Sequence, residues 1–265
     1  MKKVTISTLI KRKNAGEKLV MCTAYDAIQS RLCMAAGIDF MLVGDSVGMT
    51  QLGYDNTLPV TMEDMLAHTA AVRRGAPEAF VVFDMPFMSY QESIPLAMHN
   101  AGLAMKTTGA DAVKLEGGAE YAGLVRQLTG AGIPVMGHIG LMPQRVQVCG
   151  GYKIVGRDEE SAKKVLEDAL ALQDAGAFAV VLECIPEALG KSVTEALDIP
   201  TVGIGSGKYC SGQVQVITDL LGLMDFKPKH AKRYVEAGEI ITGALKNYAD
   251  DVRNGSFPTA ENSFQ

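Results

Sequence analysis

Residues 159–183 read EESAKKVLEDALALQDAGAFAVVLE, and this stretch decides the fold. Val165, Ala169 and Leu172 recur at helical spacing beside Leu166 and Leu170, and Gly176 stands where a helix stops, which predicts a helix over about Glu159 to Ala175. Ala179-Val-Val-Leu182 follows at once. It is too short for a helix and rich in β-branched residues, which predicts a buried strand. A helix that hands over to a strand apolar on both faces belongs to a parallel, helix-covered sheet.

Working outward, seven further runs have the same character: Leu19-Val-Met-Cys-Thr-Ala-Tyr25, Phe40-Met-Leu-Val-Gly44, Phe80-Val-Val-Phe83, Ala112-Val-Lys-Leu115, Pro134-Val-Met-Gly137, Thr201-Val-Gly-Ile204 and Val214-Gln-Val-Ile217. Helical stretches are predicted at Asp26 to Ala36, Met62 to Arg74, Ile94 to Thr107, Tyr121 to Thr129, Pro186 to Leu197 and His230 to Val252, so that seven of the eight strands lead to a helix and the last connection is short. Eight such units in 265 residues predict an α/β protein of the (β/α)8 TIM-barrel class. The competitor, a doubly wound open sheet, normally opens with a Gly-rich turn. Here Gly203-Ile-Gly-Ser-Gly207 comes late, lacks the full spacing, and fits a tight turn after strand seven. No repeat beyond the βα period and no low-complexity linker divides the chain, so one domain is expected over 1–265, with a short N-terminal helix capped by Ser7 or Thr8.

Composition closes off other classes. With 48% hydrophobic and 21% charged residues the chain is neither disordered nor collagen-like. The formal net charge of -5, with no concentration of Lys and Arg, speaks against nucleic acid as a partner. Five cysteines without a C-x-x-C pair read as reduced apolar fillers, and no apolar run approaches the roughly 20 residues needed to cross a bilayer. The basic start lacks an adequate apolar run and cleavage site for secretion, so a cytoplasmic protein without membrane association is expected.

The charges at the C-terminal ends of the strands need a reason. Asp45 ends strand two, Asp84 strand three and Glu116 strand four, which also carries Lys114; Glu183 ends strand six. Alternate residues share a face, so Lys114 and Glu116 point the same way. Buried unpaired carboxylates cost several kcal/mol each. Carboxylates on three adjacent strands are therefore expected to gather a hard divalent cation, Mg2+ being the natural choice for an all-oxygen site. The alternative is an ion-pair network with Lys114 and arginines. His138, at the end of strand five, is expected in a supporting hydrogen-bond role. The long connections Asp45 to Thr61 and Gly140 to Asp158 are candidate walls of a substrate site.

At these residues the chain also resembles the ketopantoate hydroxymethyltransferase family. The likeness spans nearly the whole length, in Thr23-Ala-Tyr-Asp26, Met41-Leu-Val-Gly-Asp-Ser-Val-Gly-Met49, Asp84-Met-Pro-Phe87, Val113-Lys-Leu-Glu-Gly-Gly118, Gly137-His-Ile-Gly-Leu141 and Leu182-Glu-Cys184, with conservative differences such as Ile139 and Ser206. The resemblance implies a barrel that binds Mg2+ and transfers a one-carbon unit from 5,10-methylenetetrahydrofolate to 3-methyl-2-oxobutanoate, giving 2-dehydropantoate. It implies Asp45, Asp84 and Glu116 as metal ligands, Asp45, Ser46, Asp84 and Lys114 as substrate contacts, Glu183 as proton acceptor, and a homo-oligomer for which ten subunits is the candidate number. Two other hypotheses compete. A metal-dependent carbon-carbon lyase or mutase would carry a Cys-Gly-His segment where Met136-Gly137-His138 stands, and a non-catalytic binding barrel would tolerate loss of Glu183, which is present.

Overall fold

The computed structural model describes residues 3–264, which form two compact units, one ending at Val216 and one beginning at Ile217. The first unit opens with helix α1 (Ile6–Asn14) and strand β1 (Leu19–Thr23). It continues with α2 (Ala27–Ala35), β2 (Phe40–Val43), α3 (Val47–Thr50), α4 (Met62–Gly75), β3 (Phe80–Asp84), α5 (Ile94–Thr108) and β4 (Ala112–Glu116). Then come α6 (Ala122–Gly130), β5 (Val135–Gly140), α7 (Val146–Cys149), α8 (Glu159–Asp174), β6 (Ala179–Glu183), α9 (Glu187–Ala196), β7 (Thr201–Ile204) and β8 (Gly212–Gln215). All eight strands run parallel, each paired with its chain neighbours, and β8 closes on β1. The expected (β/α)8 barrel is the observed fold.

Alternation along each strand assigns the faces. Phe80 and Val82 of β3, Ala112 of β4, Met136 of β5, Val181 of β6 and Val202 of β7 join one buried cluster inside the barrel. Leu9 of α1 is 1% exposed and belongs to the same cluster, with Val4 and Ile6 packed against it, so the first helix plugs the N-terminal end. The expected cap at Ser7 or Thr8 is corrected to Thr5. Its hydroxyl accepts from the Thr8 backbone N–H while Thr8 Oγ1 accepts from the Thr5 N–H at 2.8 Å, a reciprocal box in which threonine replaces the usual glutamate.

Two other boundaries move. Strand β8 begins at Gly212, two residues before the apolar run, because a side chain there would meet the Leu19 carbonyl oxygen at 2.4 Å. β7 and β8 are joined without a helix through the glycine turn, where Gly205 and Gly207 both have positive φ. In α8, Val165, Ala169 and Leu172 are buried as expected, whereas Leu170 faces outward at 36% exposure.

The second unit holds α10 (Ile217–Leu221) and α11 (Ala237–Asn254). The helix expected from His230 starts only at Ala237. The segment before it is held in a loop by the Arg233 guanidinium, which donates to the carbonyls of Met224 and Asp225, and by the Tyr234 N–H, which donates to the Leu220 carbonyl. Among the described residues no helix is long and apolar enough to cross a membrane, and none of the five cysteines forms a disulfide.

Candidate active site

The inward face of each central strand changes character toward its C-terminal end. Phe80 and Val82 give way to Asp84, Ala112 to Lys114 and Glu116, Met136 to His138, and Val181 to Glu183. Register brings these ends together: Asp84 lies beside Lys114, Glu116 beside His138, and Gly140 beside Glu183. Asp84, Lys114, Glu116 and His138 are each less than 5% exposed, and the Glu183 side chain is 16% exposed. Lys114 and Glu116 thus share the inward face, as their spacing requires.

Lys114 Nζ donates to Asp84 Oδ1 at 2.5 Å, and the Asp45 backbone N–H donates to Asp84 Oδ2 at 3.1 Å. The ion pair expected as the alternative to a metal is therefore present, but it leaves acids over: Asp45, Asp84 and Glu116 are three carboxyls against the single Lys114. Burial and the charge of Asp84 push Asp45 up to about 7, although Lys114 pulls the other way. Burial likewise drives Glu116 well above the usual carboxylate range, with Asp45 and Asp84 adding to it against Lys114. Burial would lower Lys114, but the surrounding Asp84, Glu116 and Asp45 outweigh it and hold the ammonium charged.

Gln144 stitches these acids together from the loop after β5. Its side-chain Nε2 donates to Asp45 Oδ2 at 3.0 Å, and its backbone N–H donates to Glu116 Oε2 at 3.0 Å. The remaining Glu116 oxygen, Oε1, is buried without a hydrogen-bond partner among the described residues, as are both ring nitrogens of His138. His138 stands between two acids, Nδ1 at 3.7 Å from Glu116 Oε1 and Nε2 at 3.2 Å from Glu183 Oε2, close enough to pair but out of hydrogen-bond alignment. Such orphaned polar atoms, gathered at one spot, are what a bound group would satisfy.

The end of β6 is fixed by its neighbours. Gly140 has φ +94, and a side chain there would meet the Glu183 carbonyl oxygen at 2.3 Å. That carbonyl instead accepts from the Leu141 N–H at 2.8 Å. Cys184, directly after Glu183, holds φ 48, unusual for a residue with a side chain, while its N–H donates to the Ile204 carbonyl. Ser46 follows Asp45, and its hydroxyl lies 2.8 Å from the Tyr25 hydroxyl, which is fully buried and by that burial raised to about 12. From the same loop as Gln144, the half-exposed Tyr152 reaches toward Met49 Sδ at 3.8 Å, and its hydroxyl is raised by burial and then by Glu183, Asp45 and Glu116.

Every sequence-predicted site residue lies at this end of the first unit. The sequence missed Gln144, Tyr90, Tyr25 and Tyr152; the only signal for Gln144 and Tyr152 was the unusual length of their loop. The donor chemistry fits a hard divalent cation, since the set is all oxygen, acid in excess and one carboxylate oxygen orphaned. Among the described residues, no three His, Cys, Asp or Glu side chains already converge at ligating distance.

Fold and site together define a class: a TIM-barrel enzyme with its ionisable side chains at the C-terminal strand ends, where such barrels carry their chemistry. Within that class the chain belongs to the ketopantoate hydroxymethyltransferase family, whose sequence profile matches residues 3–260. It is 53% identical to a 3-methyl-2-oxobutanoate hydroxymethyltransferase of Clostridium botulinum, covering 98% of this chain and 95% of that one. It is also 53% identical to one of Carboxydothermus hydrogenoformans, covering 100% and 96%. Among solved structures, a phosphonomutase homologue of Burkholderia cenocepacia superposes with a TM-score of 0.67 over 91% of this chain and 98% of that one, at 15% identity, a likeness of fold alone.

Proposed function

We propose that the protein transfers a hydroxymethyl group from 5,10-methylenetetrahydrofolate to 3-methyl-2-oxobutanoate, giving 2-dehydropantoate for pantothenate biosynthesis. The observation that carries this is the ring of buried ionisable groups on four adjacent strand ends, in a chain more than half identical to enzymes named for that reaction.

Asp45, Asp84 and Glu116 would hold one Mg2+ per subunit. When bound, the cation supplies a Lewis acid that polarises the 2-oxo acid and makes its C3 proton more acidic. Lys114, held charged by its acidic neighbours, would bind the substrate carboxylate or balance the charge that develops at the keto oxygen, as a fixed donor in a water-poor site. Ser46, set by the Tyr25 hydroxyl, would give the oxo acid a further donor.

Glu183 would remove the C3 proton. The resulting carbon nucleophile attacks the folate-borne methylene, and water supplies the hydroxyl as tetrahydrofolate leaves. Glu183 suits the role by position, since it is the most solvent-accessible of the five strand-end groups and can exchange its proton with water. His138, with Nε2 3.2 Å from Glu183 Oε2, would support it by turning into a hydrogen bond with the carboxylate when substrate is bound.

The test needs no folate at first. Enzyme, Mg2+ and 3-methyl-2-oxobutanoate alone should exchange the C3 proton with deuterated solvent, and adding the folate should release tetrahydrofolate only when the oxo acid is present. Tetrahydrofolate release without the oxo acid would sink the assignment.

The same reading makes the protein a cytoplasmic homo-oligomer, with ten subunits the number implied by resemblance. Support for association comes from α11, where Ile240, Ile241, Leu245, Tyr248 and Val252 are all exposed. Light scattering measures the mass directly.

A further inference from the structure

We propose that Gln144 is a positioning residue that aims Asp45 and Glu116 at the cation, and that Tyr90 and Gln91 in turn aim Gln144. This rests on those carboxylates holding a divalent cation.

A glutamine amide offers two N–H donors and one carbonyl oxygen with two acceptor sites. At Gln144, which is 3% exposed, all are used. Nε2 donates to Asp45 Oδ2 at 3.0 Å and to the Met85 carbonyl at 2.9 Å. Oε1 accepts from the Tyr90 hydroxyl at 2.9 Å and from Gln91 Nε2 at 2.9 Å. The opposite amide orientation is excluded by its neighbours. It would set an oxygen 2.9 Å from the Met85 carbonyl, which can only accept.

Tyr90 is locked as well. Its hydroxyl accepts from the Glu116 backbone N–H at 3.0 Å and has the Glu116 carbonyl oxygen at 3.0 Å as a second acceptor beside Gln144 Oε1 for its one proton, and its ring packs edge-on against Tyr121 at 5.4 Å between centroids. Gln144 therefore touches two acids at once, Asp45 through its side chain and Glu116 through its own N–H at 3.0 Å. One oxygen of each is committed, which fixes the plane in which the second lies. Asp45 follows β2 and Glu116 ends β4, so a residue from the loop after β5 couples ligands that no shared strand holds in common. Residues that orient metal ligands in this way typically change metal affinity by about ten- to a hundredfold when removed.

The experiment measures Mn2+ binding to the full chain without substrate, following the electron paramagnetic resonance signal of free Mn2+. Gln144→Leu keeps nearly the same volume and removes the amide; its Kd for Mn2+ should rise about ten- to a hundredfold with circular dichroism unchanged. Tyr90→Phe removes a single oxygen, decides the matter if Gln144→Leu does not fold, and should weaken Mn2+ to a smaller extent. A residue that only braced the fold would lower the thermal midpoint of the metal-free protein and leave the Kd, measured well below that midpoint, unchanged. Wild-type affinity in the folded variants overturns the role of Gln144 alone. Failure of the wild-type chain to bind Mn2+ overturns the metal-holding role of the carboxylates, and this inference with it.

Discussion

The floor and the mouth of the barrel are built on the same strands and obey opposite rules. At the floor, Leu19, Phe40, Phe80 and Phe178 close around Leu9 of α1, and Phe80 meets Phe40 and Phe178 edge to face. Two to four residues further along, the same inward face carries Asp84, Lys114, Glu116, His138 and Glu183. The floor gains free energy by excluding water from apolar surface, about 25 cal/mol per Å². The mouth gives some back by burying more acid than base, and the floor lets the fold carry that cost.

The comparison breaks most sharply at Glu183. Glu183→Gln should lower C3 proton exchange by about 10²- to 10⁴-fold while leaving the unfolding midpoint in place. Wild-type exchange in that variant would remove Glu183 as the base and turn attention to His138.

Lys114 at the mouth is structural as well as chemical, through its ion pair with Asp84. Lys114→Met should leave Asp84 buried without its partner and cost about 3–5 kcal/mol in urea unfolding, with oxo-acid binding lost as well. A stability change below about 1 kcal/mol would mean that water reaches Asp84 freely. At the floor, Leu9→Ala should cost about 2–5 kcal/mol and leave the kinetic constants of the folded enzyme unchanged. A selective loss of turnover there would show the two ends to be coupled.

The smallest effect sharpens the account of excess acid. Asp45 has a folded pKa raised to about 7, above its unfolded value, so between about pH 4 and 7 the native state binds the extra proton. In metal-free protein this contributes stability that is present at low pH and lost as pH rises through that window. Glu116 is raised in the same direction by its burial and adds to the loss. Urea unfolding of wild type minus Asp45→Asn, with chelator, should show a difference that falls with pH. Mg2+ at a hundred times its Kd should restore about 2.7 kcal/mol. A difference that rises with pH would reverse the assigned direction.

What was legible in the sequence follows from periodicity. A two-residue alternation carries Phe80 and Val82 straight to Asp84, so the inward charge could be read without coordinates. Thr5, Gly212 and Gln144 could not. Thr5 caps through a threonine in place of glutamate, and Gly212 reads as a break until the Leu19 carbonyl is found against it. Gln144 gains its meaning from Asp45, 99 residues away in the chain, which no local pattern encodes. The start of α11 was missed for a different reason: Arg233 bonds to carbonyls of its own loop and keeps residues before Ala237 out of the helix.

The plug formed by α1 has a kinetic consequence. With Leu9 buried at the floor, that end of the barrel is closed, so a reactant held at the proposed Lys114 site would enter and leave past the C-terminal ends of the strands. Two reactants sharing that one entrance would queue: on the proposed assignment the small acid goes in first and its hydroxymethylated form comes out last. Steady-state kinetics should therefore show a compulsory order, with the carbon donor unable to bind productively until the acid is seated.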